Sequence, residues 1–413
     1  MQRWFGIILI AWLGTATLIV SAGPEWSRQL WLTATLSAAG ITVLCRLLRG
    51  DESEASPLVA LLLFPVMLAV GQIATTLTVS ESQTREEAIR WCAAAATAYL
   101  AANLDPSPQF RQRLLVGCAA FATVLAVLSL AQPEWMKLAG PIWPFPITDD
   151  SAGPFANRNT YSSLIELSLP VTVWLALSRR EGWAWWMAAV VLQSASVFAT
   201  GSRAGSFLVA MELAVLAILA TRSYRARKWT WVGMAAGVLL SLSLAGGDKL
   251  WTRLQYGDPM AYRREIYASG LAMLAERPWT GFGLGTFADA YPRFATFDVG
   301  RWVNHMHNDW LEFAVEGGVP MIAWSAGVWW FTLIAARRQW WSLGVLFVFA
   351  HSIVDYPLQR SGIWAWLWAI AACAYGGNPL RIHRRFRRRA APALPAAPEQ
   401  SGAMDRFSAT TAR

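Results

Sequence analysis

Charge is scarce in this sequence. Only 15% of its 413 residues are Asp, Glu, Lys or Arg, against about 25% in soluble domains, and the few charges are gathered into short clusters. A water-soluble globular protein of this length is excluded. Cysteine is equally sparse: Cys45, Cys92, Cys118 and Cys373 stand singly in or beside apolar runs. They have neither metal-ligand spacing nor a disulfide-like pattern, so packing is their expected role. Of four histidines, only His305 and His307 are close neighbours. Neither has a second His at i+4 or an accompanying cysteine, which argues against a zinc site. No internal repeat and no soluble domain of independent size is evident.

What lies between the charge clusters is apolar sequence. The chain is 55% hydrophobic with a mean hydropathy of +0.34, and its apolar runs of roughly 18–22 residues can each cross a bilayer. The expected fold is an all-α, polytopic transmembrane bundle of about twelve spans. These run approximately 4–22, 29–48, 57–79, 88–104, 113–131, 161–178, 183–199, 204–221, 229–246, 310–336, 339–356 and 362–377. The first run follows Arg3 without a small-residue cleavage site after it, and reads as a retained helix rather than a signal peptide.

Basic residues of short loops favour the cytoplasm. With a cytoplasmic N-terminus, the even-numbered loops hold Arg46/Arg49, Arg111/Arg113, Arg179/Arg180, Arg222/Arg225/Arg227/Lys228 and Arg337/Arg338. The tail adds six arginines in "RIHRRFRRR", Arg381 to Arg389. Arg85 and Arg90 are the exception, in a loop that also carries three glutamates. Both termini are therefore expected on the cytoplasmic side of the membrane. The net charge of +9 follows from these loops and the tail, which would meet anionic lipid headgroups rather than nucleic acid. Three regions are expected: N-terminal spans over 1–150, a second transmembrane region over 151–380 with an outer loop at 247–309, and a basic, disordered tail over 381–413.

This orientation puts two larger polar segments outside, 132–160 and 247–309. Three features converge there. In "TGSRAGS", Arg203 opens a span; a charge near hydrocarbon snorkels, pairs or serves a ligand, while Gly201 and Gly205 admit a ligand or another helix at close range. In "YRREIYASGLAMLAERPWTGFGLGTF", residues 263–276 have helical periodicity, with Ile266, Leu271 and Leu274 roughly on one side, and Arg263 and Arg264 project from the start. A solvated charged face is the plainer alternative for that pair. The "GFGLG" turn follows no strand and is a weak phosphate motif.

The third feature, "NHMHNDWLEFAVEGGVP", places Asn304, His305, His307 and Asn308 before the tenth span, with Asp309 and Glu312 in its first turn. The acids suit a helix N-terminus and could serve only the dipole. Either histidine could be structural; a neutral imidazole could instead accept a proton from a hydroxyl. Guanidinium groups match phosphate oxygens in bidentate geometry and stay charged. Arginines, a candidate base and an Asn-rich loop at the mouth of an apolar bundle suit a lipid-linked phosphate substrate, whose diphosphate a hydroxyl displaces.

At these residues the chain resembles the O-antigen ligase and polysaccharide polymerase superfamily of bacterial membrane glycosyltransferases. The resemblance runs through "FANRNTYSS", "GSRAGS", "YRREIY…RPWTGFGLGTF", "HNDWLEFAVEGGVP" and "HSIVDYPLQ", roughly residues 155–360. It implies a GT-C-like helical fold with a large periplasmic loop. It also implies transfer of a glycan from undecaprenyl diphosphate to an acceptor hydroxyl (on lipid A-core, another glycan or protein) on the periplasmic side, without a metal or other cofactor. By position, Arg203 and Arg263 resemble the donor-diphosphate arginines and His307 the residue that activates the acceptor. Asn159, Arg264, His305, Asn308, Asp355 and Gln359 would be substrate-binding or supporting residues. His305 adds a second histidine to the pattern, and Met321 stands where a glycine is usual. A ligase or polymerase is favoured over a protein glycosylator. A transporter of lipid-linked saccharide, suggested by Glu166 and Glu212 inside spans, and an assembly protein are the rival classes.

Overall fold

The computed structural model describes residues 2–375 apart from 21–23, 52, 54–55, 140–150, 179–180, 224–247, 256–257, 259, 261, 298–299 and 301. Among the described residues the chain is all-helical, with no strand. The helices are α1 (Gln2–Thr15, continued as a π-turn through Val20), α2 (Glu25–Leu48), α3 (Pro57–Ala74), α4 (Glu81–Asn103), α5 (Pro108–Ala139), α6 (Arg158–Ser178), α7 (Trp183–Thr200) and α8 (Arg203–Ser223). Next come α9 (Asp248–Gln255), α10 (Arg263–Glu276), the short α11 (Phe287–Ala290), α12 (Asp309–Arg338), α13 (Leu343–His351) and α14 (Ser361–Tyr375).

Six of the described helices are long and apolar enough to cross a membrane: α2, α3, α5, α6, α7 and α12. The chain is thus a polytopic helical membrane protein. The expected spans at 4–22, 339–356 and 362–377 correspond to shorter apolar helices, and those at 229–246, like the 381–413 tail, lie outside the described residues. The 339–356 span is interrupted. A 3-10 turn precedes α13, which ends at His351 after nine residues, about 13 Å of rise against a hydrocarbon thickness of about 30 Å. Pro357 lacks an N–H and disfavours helix at the residue before it, so Ser352–Arg360 folds back as turns instead.

Burial sorts the helices. The most apolar windows of α2 and α3 are only 22% and 28% buried, whereas that of α6 is 89% buried. In α14, Trp364, Trp366 and Trp368 are almost wholly enclosed, and Trp364 and Trp368 meet Trp31 of α2 and Trp91 of α4 ring to ring. The short α14 is therefore the hub of the bundle. Close approach of α8 to α6 depends on Gly205, where a Cβ would stand 2.4 Å from that of Ser162; here the small residue serves another helix.

The loop helix α10 has the bounds the periodicity gives. Its buried face is Ile266, Ser269, Gly270 and Met273, a spacing of three and four; Leu271 lies on the opposite side and is 57% exposed, correcting the expected face. "GFGLG" is a backbone clip rather than a cradle. Phe282 and Gly283 donate to the carbonyls of Val315 and Glu316 at 3.1 and 2.9 Å, and the Gln72 amide donates to Thr280 and Glu316 carbonyls while accepting from Leu284 N–H. The same "EGGVP" stretch kinks α12: Gly318 takes φ 63°, and Val319 donates to the Pro278 carbonyl at 2.8 Å.

Candidate active site

Chain direction decides what meets at the end of the bundle. α6, α8, α12 and α14 all begin at one end, where α7 and α13 finish. Residues 157–159, 200–206, 304–312 and 351–361 are consequently gathered there. At the opposite end lie Arg46, whose guanidinium donates to the Asn103 carbonyl ending α4, and Arg337 and Arg338, about 45 Å along α12 from Asp309 by helical rise.

His307 is the centre of the arrangement. It has φ 58°, an uncommon left-handed conformation for a residue with a Cβ, and Tyr267 of α10 fixes it by donating its hydroxyl to the His307 carbonyl at 2.8 Å. The imidazole Nδ1 lies 3.2 Å from Asp355 Oδ1. Its side chain is 32% exposed and that of Asp355 only 3%, so the ring is open to a ligand while its carboxylate partner is enclosed. Burial pushes the Asp355 carboxyl up, but the His307 hydrogen bond and the nearby His351, His307 and Arg263 outweigh it and hold the group below its ordinary value.

His305 is held in a parallel way. Its Nδ1 is 2.9 Å from Glu312 Oε1, and the other Glu312 oxygen accepts from Met306 N–H at 2.7 Å; Gln359 also donates to Glu312. Tyr356 separates the two histidines: His305 stacks on its ring at 4.6 Å and His307 meets it edge-on at 4.7 Å. Arg360 lies over the same ring and donates to its hydroxyl. Asn308 caps α12 by accepting from Leu311 N–H at 3.0 Å. Asp309 does more than favour the helix dipole, since its Oδ2 accepts from Leu358 N–H and ties α12 to the turn after α13.

The two neighbouring arginines of α10 diverge. Arg264 is exposed and paired with Asp258 at 3.1 Å. Arg263 is partly buried, and its charge acts on Asp355 and Tyr267. Arg203 is partly buried in the first turn of α8. Its neighbour Ser202 donates to Asn159 Oδ1 at 2.8 Å, joining the starts of α8 and α6. The Asn159 carbonyl accepts from Ser163 at 3.1 Å, and the Ser163 hydroxyl is 3.2 Å from His351. His351 in turn lies 2.9 Å from Glu166, so Glu166, a suspect for transport in sequence, has a buried partner. Glu212 is buried with neither carboxylate oxygen hydrogen-bonded among the described residues.

Comparison with known families matches residues 188–325 to a family model described as O-antigen ligase. That stretch is similar to an O-antigen ligase domain. A comparison with curated proteins finds no match. The matched O-antigen ligase stretch contains Arg203, Arg263, Arg264, His305, His307 and Asn308 but not Asn159, Asp355 or Gln359; the fold brings those three to it. Tyr356 and the structural duty of Glu312 were not singled out in the sequence. The only hint was an aromatic side chain beside Asp355 in "HSIVDYPLQ", a short polar interruption between two apolar runs.

Proposed function

We propose that this protein transfers a glycan from an undecaprenyl-diphosphate-linked donor to an acceptor hydroxyl at the periplasmic face of the bacterial inner membrane, as an O-antigen ligase-type or polymerase enzyme. The observation that carries the reading is the His307–Asp355 pair, at 3.2 Å, within the electrostatic reach of Arg263. With Asp355 ionised, Nδ1 keeps its proton towards the carboxylate and Nε2 is the free lone pair. Nε2 takes the proton of the acceptor hydroxyl as its oxygen forms the bond to the anomeric carbon of the donor. The bond from that carbon to the phosphate oxygen breaks, and undecaprenyl diphosphate leaves with the electron pair.

Arg263 and Arg203 stabilise the departing diphosphate in this scheme. Fixed guanidinium groups supply the charge compensation without a metal. Orientation agrees: Arg46, Arg49, Arg111, Arg113, Arg337 and Arg338 occupy the end away from His307, which the distribution of basic residues makes cytoplasmic. Residues 151–380 form the catalytic region in this reading.

The test is transfer by the purified protein in lipid, with lipid-diphosphate glycan and candidate acceptors. His307→Ala and Arg203→Ala should each lower turnover by about 10²-fold or more while the protein still inserts and accumulates. Undiminished turnover in both would overturn the assignment, and loss of activity on chelation would overturn its metal-free chemistry.

A further inference from the structure

Beside His305 lies a cavity of about 320 Å³, the small end of the range for ligand sites, about 300–1,000 Å³. It is bounded by the starts of α2 and α4, the loop around α11, the first turns of α12 and the start of α14. None of Arg203, Arg263 or His307 lines it. We infer that this cavity is the acceptor's saccharide subsite, taking one or two sugar units that carry no negative charge.

Its walls are polar but poor in free positive charge. Arg28 is shared between Glu25 and Glu86, Arg90 is paired with Glu87 and donates to the Leu358 carbonyl, and Arg360 is engaged by Tyr356. With Glu312 and Glu316 the lining holds five carboxylates against three guanidiniums. A diphosphate or an acidic sugar entering here would meet more carboxylates than guanidiniums, two of which are already paired with glutamates. Sugar hydroxyls, by contrast, are donors that carboxylates and the amide side chains of Gln29, Gln83 and Asn304 can satisfy.

Glu316 is 1% exposed, and its carboxyl is held by the loop around α11: Phe287 N–H donates to it at 3.0 Å and the Gly285 backbone also bonds to it. The location fits an acceptor: His305 lines the cavity and stacks on Tyr356, whose ring also touches His307. A sugar held here is one aromatic ring away from the proposed base.

This inference rests on the transferase reading, and its test separates the two. Saturation-transfer NMR on the full chain in nanodiscs would screen glucose, galactose, N-acetylglucosamine, lactose and chitobiose, with glucuronate for comparison. Gln83→Trp and Ala288→Trp fill the cavity from its rim without touching the proposed base or arginines. We expect saturation transfer to neutral sugars, little to glucuronate, and loss of the signal in both plugged variants. In the transfer assay the plugged variants should raise acceptor KM at least tenfold with donor KM unchanged. Wild-type sugar signals and acceptor KM in both plugged variants would overturn the subsite while leaving the transferase standing. If no variant or wild type transfers glycan, the transferase reading falls, and plug-sensitive sugar binding still decides whether the cavity is a saccharide site.

Discussion

Asp355 Oδ1 and His307 Nδ1 stand 3.2 Å apart although 48 residues separate them in the chain. Two breaks in helical structure create the meeting: the left-handed turn at His307 before α12 and the fold-back of 352–360 after α13. A buried carboxylate on one ring nitrogen of a partly exposed histidine fixes the ring and leaves its other nitrogen for an incoming proton. If that is the purpose of the pair, Asp355→Asn should lower kcat by about 10²-fold or more with donor and acceptor KM little changed. Single-turnover transfer measures this directly, and unchanged kcat would show that the carboxylate does not orient the base.

The same pair predicts a pH dependence of stability. The folded state holds Asp355 below its ordinary value of 3.8. Its ionised form therefore stabilises the fold above that value, and the contribution is lost as pH falls through the lowered one. The melting-temperature difference between wild type and Asp355→Asn should shrink as pH falls below about 4. A difference that grows below that pH would have the wrong sign.

Arg263 and Arg264 are adjacent in sequence and differ in surroundings, so substitution should separate them. Arg263→Gln removes the guanidinium that acts on the Asp355 carboxyl and should lower turnover by about 10²–10³-fold. Arg264→Gln breaks an exposed pair with Asp258, worth about 0–1 kcal/mol, and should leave turnover within about fivefold. Equal losses in steady-state assays would mean that the static orientation of the two side chains does not describe the working enzyme.

The helical class was legible because bilayer thickness imposes a run length that composition reveals. Helix α10 was legible too, from its 3.6-residue period. The fold-back at 352–360 was not: its flanks are as apolar as any span, and only tertiary contacts, such as Asp309 accepting from Leu358, decide that the helix stops. The candidate residues gathered at one end of the bundle stood out in the sequence by their charge. Their pairing could not, because Asp355 with His307 and Glu312 with His305 depend on helix register across separate segments. The partner of "GFGLG", discounted as a phosphate motif for want of a strand, was hidden for a related reason. Glycine reports that backbone must come close to something, and here that something is α12 rather than phosphate.

That clip makes a ranked prediction for three glycines in positive φ. A Cβ at Gly281 would lie 2.3 Å from the Glu316 backbone, and one at Gly318 would lie 2.6 Å from the Pro278 carbonyl; at Gly300 it would meet nothing within 4 Å. All three alanine variants carry the strain of an unfavourable φ, about 1–3 kcal/mol, but only the first two also collide with backbone. Thermal unfolding in detergent should therefore order Gly281→Ala and Gly318→Ala well below Gly300→Ala. Equal losses for all three would leave backbone conformation as the whole effect and remove the clip from the account.

Glu166 and His351 give the last prediction, and it separates structure from transport. Both side chains are fully enclosed between α6 and α13, with His351 Nδ1 2.9 and 3.0 Å from the two Glu166 oxygens. A buried polar pair broken on one side leaves the other partner unsatisfied, a loss of about 3–5 kcal/mol, whereas replacing both with apolar residues of similar volume is close to neutral. Glu166→Met and His351→Leu should each destabilise the protein strongly, and the double variant should recover more than half of either loss while retaining glycan transfer. Were the pair instead a mid-membrane element of a transport path, the double variant would be stable and inactive. Measuring melting temperature and turnover on the same three proteins distinguishes the two, because packing predicts that activity follows stability and transport predicts that it does not.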